Sequence, residues 1–169
     1  MNEDEYRSIY ADVNKQRCVF EKTMLLGFAG CEYSKKLLLA EREAMACTSK
    51  EAQPKCLSLL NTMRNNARFS LQVTKANEPL PHSKELKVQA GGLFGLQQYL
   101  MQKDPARVEQ LSEDQFRFDN PYNQPIKNIH QTVAEAIKEF GEIKQFPYTE
   151  IVKAILHFER PSRRNKKGR

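Results

Sequence analysis

Apolar side chains recur every three to four residues along most of this chain, a spacing that restricts it to a mainly helical fold. Residues 3–28 carry Ile9, Val13, Phe20, Met24 and Phe28 with no proline among them, which predicts one helix ended by Gly27 and Gly30. Residues 31–46 show the strongest helical pattern. Tyr33, Leu37, Ala40 and Ala44 form one stripe, Leu38 and Met45 widen it, and good helix formers dominate the stretch. Thr48 and Glu51 stand at capping-box spacing before a helix that carries Cys56, Leu59, Leu60, Met63 and Ala67. Three such segments with short connections predict an antiparallel helical array.

Beyond residue 67 the periodicity becomes ambiguous. Phe69, Leu71 and Val73 alternate with polar residues, and Leu86, Val88 and Ala90 alternate again after Pro79 and Pro81. These two runs fit one short β-hairpin pairing about 67–74 with 85–90, while Met63, Ala67 and Leu71 also continue a helical stripe. A helix is expected from Leu93 to Gln102, entered through Gly91 and Gly92. The sequence Gly91-Gly92-Leu93-Phe94-Gly95 lacks the spacing of a phosphate loop or dinucleotide fingerprint, so its small residues suit close helix packing. Pro105, Pro121 and Pro125 mark 104–125 as a long connection. Two further helices are expected, on Ile129, Val133, Ile137 and Phe140 and on Val152, Ile155 and Phe158. Thr149 caps the second and Pro147 breaks the chain between them. This last pair has the outline of a helix-turn-helix with Tyr148, Thr149 and Lys153 exposed. The expected fold is therefore mainly α, a small multi-helix bundle with one short hairpin. It forms a single domain over 1–159, followed by a flexible basic tail at 160–169.

Charge is distributed unevenly. The chain has 27 basic and 21 acidic side chains for a net charge of +6. Arg160, Arg163, Arg164, Lys166, Lys167 and Arg169 account for that whole excess, so the rest of the chain is balanced. A segregated basic tail is a generic grip on polyanions, and these six residues are the candidate contacts to nucleic acid or an acidic protein surface. Such contacts position a protein without reading sequence. No apolar run is long enough to span a bilayer, and the acidic residues 3–5 do not suit a signal peptide, which together predict a cytoplasmic location.

The four cysteines, Cys18, Cys31, Cys47 and Cys56, all fall in the first third of the chain. In a reducing compartment such a group serves as thiols or metal ligands rather than disulfides. Thiolates hold zinc or iron–sulfur clusters, but no Cys-x-x-Cys pair is present to mark either. If residues 31–47 form one straight helix, Cys31 and Cys47 lie about 24 Å apart and cannot share a metal. Folding neighbouring helices back on one another then brings Cys18, Cys47 and Cys56 together as the candidate metal set, with Cys31 joining only if that helix breaks. The plainer use of all four is as small buried hydrophobes.

No catalytic constellation stands out. His82, His130 and His157 are isolated, and no nucleophile elbow or kinase motif occurs. The reading from sequence is a non-catalytic accessory or regulatory binding protein whose basic tail contacts nucleic acid or another polyanion. The alternatives are a cysteine-ligated metalloprotein, iron–sulfur or zinc, on the N-terminal helices, and a metal-free helical interaction scaffold.

Overall fold

A computed structural model describes residues 2–73, 78–104, 106 and 125–160. The described part is mainly α-helical with one two-stranded antiparallel hairpin. Helix α1 (Glu3–Val13) starts with the Asn2 side chain accepting from the Glu5 amide at 2.8 Å. A short α2 (Glu21–Leu25) follows, then strands β1 (Ser34–Leu39) and β2 (Arg42–Cys47). Helix α3 (Ala52–Ala67) crosses the core. Helix α4 (His82–Leu86) runs through a π-helical turn, Lys87–Gly91, into α5 (Gly92–Lys103). The chain closes with α6 (Ile129–Phe140), a 3-10 turn at Ile143–Gln145, and α7 (Tyr148–His157).

The core lies where α3, α5, α6 and α7 meet. Leu59, Leu60, Met63, Leu93, Leu96, Ile129, Ile151 and Ile155 are all essentially excluded from solvent there. Close approach of α5 to α7 depends on the glycines. A Cβ added at Gly91 would stand 2.9 Å from the Ile155 Cα, and one at Gly95 would stand 2.6 Å from the Ala154 Cβ. The expectation of small residues for packing therefore holds. Phe28, Phe94 and Phe158 interlock with ring centroids 5.7 to 6.5 Å apart, joining the segment after α2 to the end of α7.

The hairpin is real, but it lies elsewhere in the chain. Residues 85–90 are helical, and residues 68–72 are a turn following α3. Val88, Gln89, Ala90 and Gly91 are all buried, and a helix buried on every side loses the period that would identify it. The strands form instead from residues 31–46, the stretch with the strongest helical pattern. Ser34 pairs with Cys47 and Leu39 with Arg42 across the ladder. Leu37 and Leu39 point inward while Leu38 is 72 % exposed, an alternation of period two hidden among good helix formers. Tertiary pairing overrides propensity here.

The pairing extends to a third segment, which is why residues 3–28 are not one helix. The Cys18 amide donates to the Met45 carbonyl at 2.9 Å and the Cys47 amide to the Gln16 carbonyl at 2.8 Å. Arg17 forms a bridge with Ala46, so residues 16–18 lie along the outer edge of β2. Asn14 and Glu21 lock this joint. The Asn14 amide donates to the Met45 carbonyl at 3.1 Å. The buried Glu21 carboxylate accepts from the Met45 amide at 2.9 Å and from the Tyr10 hydroxyl at 2.6 Å.

The start of α3 is capped one residue later than expected. Ser49 Oγ accepts from the Ala52 amide at 3.0 Å, while the Thr48 hydroxyl donates to the Tyr33 carbonyl. The outline of a helix-turn-helix over α6 and α7 also changes. Tyr148 is buried and its hydroxyl donates to the Ile143 carbonyl, leaving Thr149 and Lys153 exposed. Of the tail, only Arg160 is described, as an exposed residue. Arg163, Arg164, Lys166, Lys167 and Arg169 lie outside the described residues, as does most of the 104–125 connection.

Candidate metal centre

The corrected fold brings all four cysteines to one place. Cys18, Cys31, Cys47 and Cys56 line a single cavity of about 20 Å³, roughly the room one water needs. Each arrives on a different piece of backbone. Cys18 is held by its amide bond to Met45, on the edge of β2. Cys47 ends β2 itself, and its thiol donates to the Ser49 carbonyl at 3.4 Å. Cys56 projects from the first part of α3.

Cys31 sits just ahead of β1, and its carbonyl accepts from the Ser34 amide at 3.1 Å and the Ser34 hydroxyl at 2.7 Å. Its neighbour Gly30 is fastened on both sides, donating to the Ile126 carbonyl at 2.8 Å and accepting from the Ile129 amide at 2.9 Å. Ser34 is the cross-strand partner of Cys47, so the hairpin joins the two ends that a helix would hold some 24 Å apart. With a hairpin in place of a helix over residues 31–47, Cys31 joins the other three cysteines.

Burial dominates the chemistry of these thiols. It pushes Cys18 up to about 12, aided by the nearby Cys31, Cys47 and Glu21 and opposed by the Phe20 amide. It pushes Cys56 up to about 12 as well, with Cys18, Cys31 and Cys47 adding to the shift. That mutual influence is a second sign that the four sulfurs share one environment. Cys18 Sγ also lies 3.4 Å from Met24 Sδ, which places a second soft sulfur beside the cavity. Among the described residues, no group of three or more His, Cys, Asp or Glu side chains stands close enough as placed to hold a metal ion.

His130 and Tyr33 are among the other residues that line the cavity. His130, from the first turn of α6, and Tyr33 meet edge to face at 4.7 Å between centroids. The outer face of His130 approaches Glu32, with Nε2 4.0 Å from Oε1. Nothing in the sequence links His130 to the cysteines, because it lies more than seventy residues beyond Cys56. The Ala29–Ile126 bridge, the Gly30 hydrogen bonds and the Glu32 amide's bond to Asn128 Oδ1 at 3.3 Å tie the loop before β1 to the start of α6 and bring it there.

No protein-family model, no curated protein and no solved structure matches this chain. Among the described residues, no helix is long and apolar enough to cross a membrane.

Proposed function

We propose that Cys18, Cys31, Cys47 and Cys56 together ligate one metal centre, zinc or iron–sulfur. The observation that carries this reading is the convergence on one small cavity of every cysteine the chain possesses, from four separate backbone segments. Four thiolates complete the ligand set of the common iron–sulfur clusters and of a Cys₄ zinc site. Thiols with values near 12 stay protonated at neutral pH, so metal binding must release their protons. The local charge of a bound cation supplies the drive for that release.

Four thiolates suit either a zinc ion or an iron–sulfur cluster, and the composition of the purified protein separates the two. The test is anaerobic purification followed by iron, zinc and acid-labile sulfide analysis. A brown product with iron and sulfide in matched amounts identifies a cluster, and stoichiometric zinc without sulfide identifies a zinc site. A metal-free protein with unchanged circular dichroism and four titratable thiols overturns the centre altogether.

The segregation of charge supports a second role. Residues 160–169 carry the whole positive excess of a chain that is otherwise balanced, which suits contact with nucleic acid or another polyanion. If all six cations engage duplex DNA, log affinity against log salt falls with a slope on the order of −5. Deleting residues 160–169 is expected to abolish a salt-sensitive retention on heparin, and unchanged retention contradicts this role.

A further inference from the structure

An open groove of about 790 Å³ shares Cys18, Val19 and Gln53 with the cysteine cavity. One wall is a face of α3, where Leu57, Asn61, Arg64, Asn65 and Arg68 recur at helical spacing. The other wall brings Arg17 and Lys22, and Glu85 and Gln89 from α4 and the π turn also line the groove. Its size falls within the roughly 300–1,000 Å³ of small-molecule sites.

The lining carries four cations, Arg17, Lys22, Arg64 and Arg68, against Glu78 and Glu85, with Arg17 also paired to the neighbouring Glu21 at 3.3 Å, so a modest positive excess remains. Glu85 is already neutralised. Arg64 Nε donates to it at 3.1 Å and Arg64 Nη2 at 2.5 Å, and Gln89 Nε2 adds a bond at 2.9 Å. Thr23 donates in turn to Gln89. Arg64 Nη1 donates to Asn61 Oδ1 at 3.0 Å, so the guanidinium is held in place before any ligand arrives. Oxyanions are the groups that such fixed arginine and amide donors recognise. Among the described residues the lining holds no aromatic ring, so it offers no platform for stacking a nucleobase. It does offer aliphatic surface at Leu57 and Leu80.

We infer that this groove binds a small organic anion, with a phosphate or carboxylate head held by the arginines, Lys22 and the α3 amides, and an aliphatic body against Leu57 and Leu80. The inference does not depend on what the cysteines hold. The test is an NMR titration of the full chain with butyl phosphate, butyrate and inorganic phosphate, following the Asn61 and Asn65 side-chain amides. Saturable shifts with butyl phosphate or butyrate are expected, and the comparison of the two identifies the head group. Inorganic phosphate alone binds more weakly. Lys22→Glu and Asn65→Asp each weaken binding by about tenfold or more while leaving metal content unchanged. Asn65 is exposed, so its variant keeps the test valid if Lys22→Glu disturbs the fold. Absence of saturable shifts, binding unaffected by both variants, or displacement of the probes by oligo(dT) overturns the inference. Any of these results with metal still bound leaves the cysteine centre standing.

Discussion

Gly91 sets two local effects against each other. Replacing a helical glycine by alanine gains about 1 kcal/mol from backbone entropy alone. At Gly91 the new Cβ would press to 2.9 Å on the Ile155 backbone, which cannot rotate away. Packing wins, and Gly91→Ala is expected to cost about 1–3 kcal/mol in urea unfolding. An increase in stability would show that the π turn and α7 are not in this close contact.

Glu85 makes a pH-dependent claim at the same scale. Burial works to raise its value, but hydrogen bonds from Arg64 and Gln89 and the Arg64 charge outweigh burial and hold it below the usual carboxylate range. A lowered folded value means the stabilisation is complete above the unfolded carboxylate value. It is lost as pH falls through the lower folded one. Glu85→Gln is therefore expected to lower stability at neutral pH and to flatten the acid limb of the stability curve. Arg64→Ala leaves a buried carboxylate uncompensated and is expected to cost about 3–5 kcal/mol. Equal acid slopes in wild type and Glu85→Gln would contradict the assignment.

Among the elements, the hairpin decides everything near the cysteines. Its turn places Ala40 at φ 56°, the left-handed region that costs a residue with a Cβ about 1–2 kcal/mol. Ala40→Gly is expected to raise the thermal midpoint, and a fall would mean that the turn is not formed.

The sequence shows why this element was hard to read. Tyr33, Leu37, Ala40 and Ala44 fit a helical stripe, and nothing local signals that the chain reverses at Ala40. No glycine or asparagine marks that turn. The deciding partner is residues 16–18, which pair with β2 from outside the hairpin. Helices α3, α6 and α7 were legible because each has one apolar face, and α5 because its apolar run follows Gly91 and Gly92 without a break. The helix through Val88 was not, because burial on all sides removed its period. The cysteines were legible as a chemical group, but their grouping as three rather than four followed directly from misreading this hairpin. His130 was not legible at all, since its place depends on the contact between the loop before β1 and the start of α6.

Taken whole, the molecule joins a helical core to a small β-edge, and the four thiols lie where the two meet. The core helices α3 and α6 contribute Cys56 and His130, and the edge contributes Cys18, Cys31 and Cys47. A centre bound there would tie both parts together, so the proposed metal binding would add to folding stability. Metal removal by a chelator under reducing conditions is expected to lower the thermal midpoint. An unchanged midpoint after verified metal loss would contradict that coupling.

The most direct measurement is metal content after anaerobic purification of the four single variants Cys18→Ala, Cys31→Ala, Cys47→Ala and Cys56→Ala beside wild type. Cys31 carries the most weight, because only the hairpin places it with the others. Cys31→Ala is expected to lose bound metal as severely as the other three. Full wild-type metal content in Cys31→Ala, or no metal in the wild-type protein, would contradict it.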